Sequence, residues 1–121
     1  MRVLLDTNFL IDVVRFKIDL EDITGVIGYS ELVTLSSVEK ELTTLSKKAS
    51  KAGAYAKTAL KFVKENKIKI LKSNERPDNA LVKLADENTI IATNDIELRK
   101  GLKASGRKTI YLKSKKHLAI G

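Results

Sequence analysis

Four acidic residues stand at positions from which their carboxylates could reach one site: Asp6, Glu41, Asp78 and Asp95. Asp6 and Asp95 follow short apolar runs of the kind that form buried strands. Glu41 lies in the second turn of one helix-like segment, and Asp78 begins another. A carboxylate at the end of a buried strand is costly to desolvate unless it is paired or bound to a cation. Four carboxylates with no arginine or histidine among them would also repel one another, and a divalent cation would relieve that repulsion.

These side chains indicate phosphodiester hydrolysis assisted by a divalent cation. Oxygen ligands select Mg²⁺ or Mn²⁺ over zinc, and the chain has no cysteine and only one histidine, His117. The formal net charge of +8 favours a polyanionic partner, nucleic acid above all. A cation held by the acids would lower the pKa of an attacking water and stabilise the leaving oxygen. An acidic pocket in a basic protein therefore favours a nuclease.

Three of the four acids also have a purely structural interpretation, whereas Asp6 is the hardest to explain in that way. Asp78 and Asp95 could each be an N-cap residue, and Glu41 could be a solvated helix residue. Glu39 stands three residues after Ser36 and suits a capping box, a role that is not open to Glu41. The joint placement of all four acids favours a site over separate structural roles.

Strand-like runs alternate with helix-like segments along the chain. The predicted strands cover residues 2–5, 32–35, 67–71, 89–93 and 109–112, and the predicted helices cover 18–27, 36–46, 50–66, 78–86 and 95–104. This alternation predicts crossover connections and a parallel sheet with helices on both faces, which is the α/β class. Ligands of such sheets bind beyond the carboxyl ends of the strands, where the four acids fall.

Two segments carry more specific expectations. The buried face of helix 50–66 is predicted to consist of Ala52, Tyr55, Ala56, Ala59, Leu60 and Val63. In the next strand, Ile68 and Ile70 are expected to point the same way. The basic residues that are predicted to contact RNA lie on a second face of helix 50–66 and in the C-terminal tail: Lys57, Lys61, Lys64, Lys113, Lys115 and Lys116. The helix lysines could equally form a plain solvated face.

The chain of 121 residues is long enough for one domain, predicted over 1–121 with a short basic tail from about residue 113. No run approaches the roughly 20 apolar residues of a membrane span, and the start does not resemble a signal peptide. A cytoplasmic location without a membrane partner is therefore expected.

Four stretches resemble, in order, the motifs of PIN-domain nucleases: L-L-D-T-N-F-L-I-D, S-V-E-K-E-L, D-N-A-L-V-K-L-A and A-T-N-D-I-E-L. The resemblance runs from Arg2 to about Leu112. It implies a three-layer α/β/α sandwich with a five-stranded parallel sheet, one or two Mg²⁺ or Mn²⁺ ions, and endonucleolytic cleavage of single-stranded or structured RNA. The family's metal-site acids fall onto Asp6, Glu41, Asp78 and Asp95.

The residues expected to support these acids are Thr7, Asn8, Asn79, Asn94 and Glu97. Many relatives carry a second acid where this chain has Asn79, so a second metal position would be weaker here, unless Glu97 compensates. The ending of the chain looks closer to archaeal relatives of the ribosomal-RNA-processing branch than to VapC toxins, which stay an alternative. The family often pairs, so the resemblance also implies a homodimer as one alternative.

Two other function classes compete with the nuclease. A PIN fold that binds RNA without cutting it would be signalled by loss of an acid, and none of the four is missing. A receiver-like signalling domain would need an aspartate at the end of its third strand, whereas that strand is followed here by L-K-S-N-E. The RNA-binding module is the stronger of the two rivals.

Overall fold

The computed structural model describes all of residues 1–121 and contains six helices and one six-stranded sheet. The strands are β1 (Arg2–Leu5), β2 (Glu31–Leu35), β3 (Lys69–Leu71), β4 (Thr89–Ala92), β5 (Thr109–Lys113) and β6 (His117–Ile120). The helices are α1 (Thr7–Arg15), α2 (Glu21–Ile27), α3 (Ser36–Ser46), α4 (Lys51–Glu65), α5 (Pro77–Leu84) and α6 (Ile96–Ala104). The predicted α/β class is confirmed.

The sheet has the strand order β3-β2-β1-β4-β5-β6. Strands β1 to β5 are parallel, and β1 pairs with β2 on one side and with β4 on the other. The chain therefore proceeds outward from β1 to β3 and then returns to the far side of β1, so strand order reverses between β1 and β4. Such a reversal opens a crevice at the carboxyl edge of a parallel sheet.

The core forms around the central strands because their residues are apolar on both faces. Val3, Leu4 and Leu5 in β1 are fully buried, and so are Ile91 and Ala92 in β4. Continuous apolar runs of this kind suit strands that helices cover on both sides. No helix is long and apolar enough to cross a membrane.

The sixth strand corrects the expectation of a basic tail. β6 pairs antiparallel with β5, so that Leu118 lies opposite Leu112 and is buried. The turn between the strands puts Ser114 and Lys115 at positive φ, 55° and 57°. Sequence signals for such hairpins rest on glycine or asparagine at these positions, and neither is present here.

Helix α1 is a second correction, because no helix was predicted between residues 6 and 18. Its buried residues Phe9, Leu10 and Val13 have helical spacing, but Ile11 and Val14 are also partly buried and blur the pattern. The next helix begins only at Glu21, not at residue 18.

Smaller differences concern three predicted positions. Ala52 is exposed, and Gly53 occupies the buried position on α4 instead. Ile70 is exposed at the sheet edge, whereas Ile68 is buried before β3 begins at Lys69. The predicted strand was too long because Lys67 has a φ of 52°, which no extended strand adopts.

Candidate active site

The candidate site lies at the carboxyl edge of the sheet, where strand order reverses. Asp6 follows β1 directly, and Asp95 follows the neighbouring β4 after Thr93 and Asn94. The backbone N–H of Asp6 donates to the carbonyl of Ala92, which extends the contact between the two strands by one residue. The two central strands therefore bring Asp6 and the 93–95 segment together.

Asp6 is the one acidic side chain that the fold buries, with 4% of its surface exposed. It is the N-cap residue of α1, and its Oδ1 accepts a 2.8 Å hydrogen bond from the Thr7 N–H. Its Oδ2 accepts a 2.7 Å hydrogen bond from the Thr93 hydroxyl. Both oxygens are thus held in place by hydrogen bonds.

Burial raises the pKa of the Asp6 carboxyl from its ordinary 3.8 to about 6. The hydrogen bonds from Thr93 and the Thr7 N–H oppose this rise, while the negative charges of Asp78 and Glu41 add to it. Two further acids therefore lie close enough to Asp6 to repel its ionised form. The interpretation of Asp78 as an N-cap is wrong, because Arg76 occupies that position of α5.

Thr93 links Asp6 to Asp95, and sequence analysis did not single it out. Its hydroxyl donates to Asp6 and accepts from the Asp95 N–H at 3.2 Å. Asp95 in turn caps α6, because its Oδ1 accepts from the N–H groups of Glu97 and Leu98. The signal that could have identified Thr93 is a small hydroxyl side chain in the T-N-D motif, at the end of a fully buried strand.

Asn94 fixes the segment that carries Asp95. Its N–H donates to Oδ1 of Asn8 at 3.0 Å, and its side-chain amide donates to Oδ2 of Asp12 at 2.8 Å. Its own Oδ1 accepts from the Leu112 N–H at 2.8 Å. Three elements, α1, β4 and β5, are therefore joined at one edge by a single asparagine.

Glu41 and Asp78 lie on α3 and α5, which follow β2 and β3 on the side of β1 away from β4, and both are exposed. The hydroxyl of Ser36, at the start of α3, donates to the Ser73 carbonyl and accepts from the Ser73 N–H. This pair of hydrogen bonds ties α3 to the loop before α5. The predicted capping box of Ser36 and Glu39 is wrong, because the Ser36 hydroxyl bonds the Ser73 backbone instead and α3 has no side-chain cap.

The donor set suits a hard divalent cation. Carboxylate oxygens are the ligands that Mg²⁺ and Mn²⁺ prefer, and the buried Oγ1 of Thr7, beside Asp6, has no hydrogen-bond partner. No three acidic or histidine side chains lie close enough together to form a ready-made group of ligands. Glu41 and Asp78 are exposed, however, so they can change rotamer without repacking the core.

The remaining predicted residues lie outside this cluster. Asn79 and Glu97 are exposed on α5 and α6, and Glu97 contributes only its backbone N–H, to Asp95. All six predicted RNA-binding lysines are exposed, three on α4 and three at the β5–β6 turn. Lys61 lies 3.7 Å from Glu65 in an exposed ion pair, so part of the charge of α4 is offset.

Comparison with known proteins agrees with this architecture. A family model described as a PIN-like domain matches residues 3–115. Ribonuclease VapC4 of Methanocaldococcus jannaschii is 33% identical over 122 residues, which cover 95% of this chain and 92% of that protein. Ribonuclease VapC9 of Archaeoglobus fulgidus is 29% identical over 117 residues, which cover 95% and 85% of the two proteins.

Solved structures show the same fold. The PIN domain endonuclease Utp24 superposes with a TM-score of 0.78 at 22% identity, covering 98% of this chain and 90% of that one. A domain of a functionally unknown Methanocaldococcus jannaschii protein gives a TM-score of 0.67 at 23% identity, covering 93% and 91%. The family model covers nearly the whole chain and one relative exceeds 30% identity over almost its full length, so this chain belongs to the PIN-like domain family.

Proposed function

We propose that this chain is a divalent-metal-dependent endoribonuclease that hydrolyses RNA phosphodiester bonds. The observation that carries the proposal is the carboxylate of Asp6, whose pKa is raised first by burial and then by the charges of two neighbouring acids, within a protein of net charge +8. Fully buried acids without a cationic partner are rare outside functional sites. The relatives named ribonuclease and the endonuclease of similar fold support the same reaction class.

Asp6 and Asp95 would hold the principal Mg²⁺ or Mn²⁺ ion, and Glu41 and Asp78 would complete its surroundings directly or through water. When bound, such an ion lowers the pKa of an attacking water and stabilises the charge that develops on the phosphate. Thr93 and Thr7 orient the carboxylate of Asp6 through the hydrogen bonds described above. Asn94 and Asn8 hold the backbone that presents Asp95.

The substrate of this proposal is single-stranded or structured RNA in the cytoplasm. Lysines Lys113, Lys115 and Lys116 would guide the strand, with Lys57 and Lys64 of α4 as further contacts. Scattered lysines contact phosphates and carry little base information, so sequence preference would be weak. Ribosomal RNA processing stays a prediction, because the relatives named VapC fit a VapC-type ribonuclease as well.

The test is cleavage of end-labelled RNA, single-stranded and hairpin, with Mg²⁺, Mn²⁺ or EDTA. The Asp95→Asn and Glu41→Gln variants should lose cleavage, since each removes one carboxylate charge. Glu39→Gln is a matched control for Glu41→Gln, because Glu39 is also exposed on α3 but does not affect Asp6. Wild-type rates in both Asp95→Asn and Glu41→Gln would contradict the assignment.

An RNA-binding module without catalysis is the second candidate. The absence of a ready-made group of three ligands favours it. Salt-sensitive RNA binding with no cleavage under any metal would move this candidate into first place.

A further inference from the structure

A groove of about 790 Å³ lies between α3 and the loop that joins β3 to α5. Glu41 lines one wall, and Pro77, which precedes Asp78, lines the other. Glu41 and Asp78 are the two acids whose charges act on Asp6. The groove therefore adjoins the candidate active site.

Three cationic side chains line this groove: Lys40, Lys48 and Arg76. Lys40, Thr44 and Lys48 recur every four residues and so share one side of α3 and its C-terminal end. None of the three cations forms an ion pair, whereas Glu75, a lining acid, is already paired with Lys83 at 2.7 Å. Glu41 is the only other acid in the lining. The groove thus offers unneutralised positive charge.

Apart from Leu45 and Pro77, the rest of the lining is polar, and the lining contains no aromatic side chain. Hydroxyl and amide groups come from Ser37, Thr44, Ser73 and Asn74, while the hydroxyl of Ser36 is bonded to the Ser73 backbone. Such a surface has no aromatic ring on which a base could stack and little that would hold an apolar ligand. Arginine, lysine, serine, threonine and asparagine are, by contrast, the residues that contact phosphates and sugars.

We propose that this groove binds the sugar-phosphate backbone of single-stranded RNA beside the scissile bond, with Lys40, Lys48 and Arg76 contacting phosphates. The inference rests on the proposed function and names a path for its substrate. None of these three residues belongs to the lysines that charge patterning indicated. Lys40 and Lys48 share one side of α3 and its C-terminal end, and only the fold brings Arg76 to the opposite wall. A strand held here would be gripped by its backbone, so base composition should hardly affect binding.

The test compares two triple variants that lose the same charges. The groove variant replaces Lys40, Lys48 and Arg76 by alanine. The control variant replaces Lys103, Arg107 and Lys108 by alanine.

The control also removes two lysines and one arginine, but near the end of α6 and the start of β5. The start of a parallel strand lies at the edge of the sheet opposite to the acids. Thermal melting of both variants checks that each is folded.

Binding of a fluorescent single-stranded RNA is measured in EDTA over a salt series, so that the result does not depend on cleavage. Each phosphate contact to a single strand contributes roughly 0.7 to the slope of log K against log salt. The groove variant, which lacks three such contacts, should therefore have a slope that is shallower than the wild-type slope by about 2. Its affinity at low salt should also fall more than that of the control variant. Equal losses in the two variants would overturn the proposal, because only overall charge would then matter.

Cleavage by the same proteins separates this inference from the proposed function. A wild-type chain that never cleaves RNA, but whose groove variant selectively loses binding, would refute the nuclease and keep the groove. A wild-type chain that cleaves, with the groove variant unchanged in KM and in binding, would keep the nuclease and refute the groove.

Discussion

The hydroxyl of Thr93 donates a 2.7 Å hydrogen bond to Oδ2 of Asp6, across the two central strands. The same hydroxyl accepts from the Asp95 N–H, so one oxygen atom sets the position of two candidate metal-binding acids. The bond lowers the pKa of Asp6 and thus favours the ionised form that a cation needs.

Replacing Thr93 by valine should reduce metal affinity and cleavage about 10- to 100-fold, which is typical for loss of a group that orients a metal ligand. The variant keeps the shape of the side chain but leaves Oδ2 of Asp6 without its donor. Thr109→Val is the matched control, because its buried hydroxyl bonds the Gly121 carbonyl, away from the acids. Equal loss of activity in both variants would reduce Thr93 to a general structural role.

Ionisation of Asp6 should make stability depend on pH. The raised pKa means that the folded state holds the proton more tightly than the unfolded chain, for which the value is near 3.8. Protonation of Asp6 therefore contributes about 3 kcal/mol to the free energy of unfolding. This contribution is complete below about pH 3.8 and is lost as the pH rises through about 6. In EDTA, Asp6→Asn should therefore lower the pH dependence of urea unfolding between pH 4 and pH 8. An identical pH profile for the variant and the wild type would contradict the raised pKa.

Divalent cations should stabilise the protein more at pH 8 than at pH 5, because a bound cation requires ionised Asp6. A concentration of 100 times Kd would add about 2.7 kcal/mol to the free energy of unfolding. Thermal melting with and without Mg²⁺ or Mn²⁺ at matched ionic strength measures this effect. Asp6→Asn should abolish it, whereas Asp86→Asn, an exposed acid beyond α5, should leave it intact.

Gly53 should be irreplaceable at the contact between α3 and α4. A Cβ at this position would collide with the backbone carbonyl of Lys48, which cannot move aside as a side chain could. Gly53→Ala should therefore cost about 1–3 kcal/mol of the free energy of unfolding. Gly101→Ala, with open space around it in α6, should instead stabilise by about 0.5–1 kcal/mol. Denaturant unfolding measures both changes in the free energy of unfolding, and opposite signs for the two variants would verify the close contact between Gly53 and the Lys48 carbonyl.

The sixth strand should contribute to stability through its one buried side chain. Leu118 is 8% exposed, and Leu118→Ala should cost about 2–5 kcal/mol. Ile120 is 42% exposed, so Ile120→Ala should cost much less. Similar small losses in both variants would show that the segment behaves as the loose tail expected from its basic sequence.

Local patterns located the five parallel strands, because apolar runs such as residues 3–5 and 90–92 suit the middle of a covered sheet. The same patterns placed Asp6 and Asp95 directly after strands. Since the carboxyl ends of parallel strands share one edge, their proximity followed from topology. Family motifs identified the same acids independently, and the family itself is confirmed by the match over residues 3–115.

The tertiary structure alone decided which side chains touch. Thr93 and Asp6 are 87 positions apart, and nothing in the spacing indicates that their side chains bond. Among the groove cations, Arg76 likewise lies far along the chain from Lys40 and Lys48, and only the fold places it across the groove from α3.

The hairpin that forms β6 depends on two non-glycine residues at positive φ, a conformation that local propensity disfavours and that pairing with β5 stabilises. Sequence alone therefore determined the layers and the edge at which the acids meet, because these follow from periodicity. Packing between distant segments determined the burial of Asp6, its hydrogen bonds and its pKa, because desolvation and hydrogen bonding depend on neighbours that only the folded chain brings together.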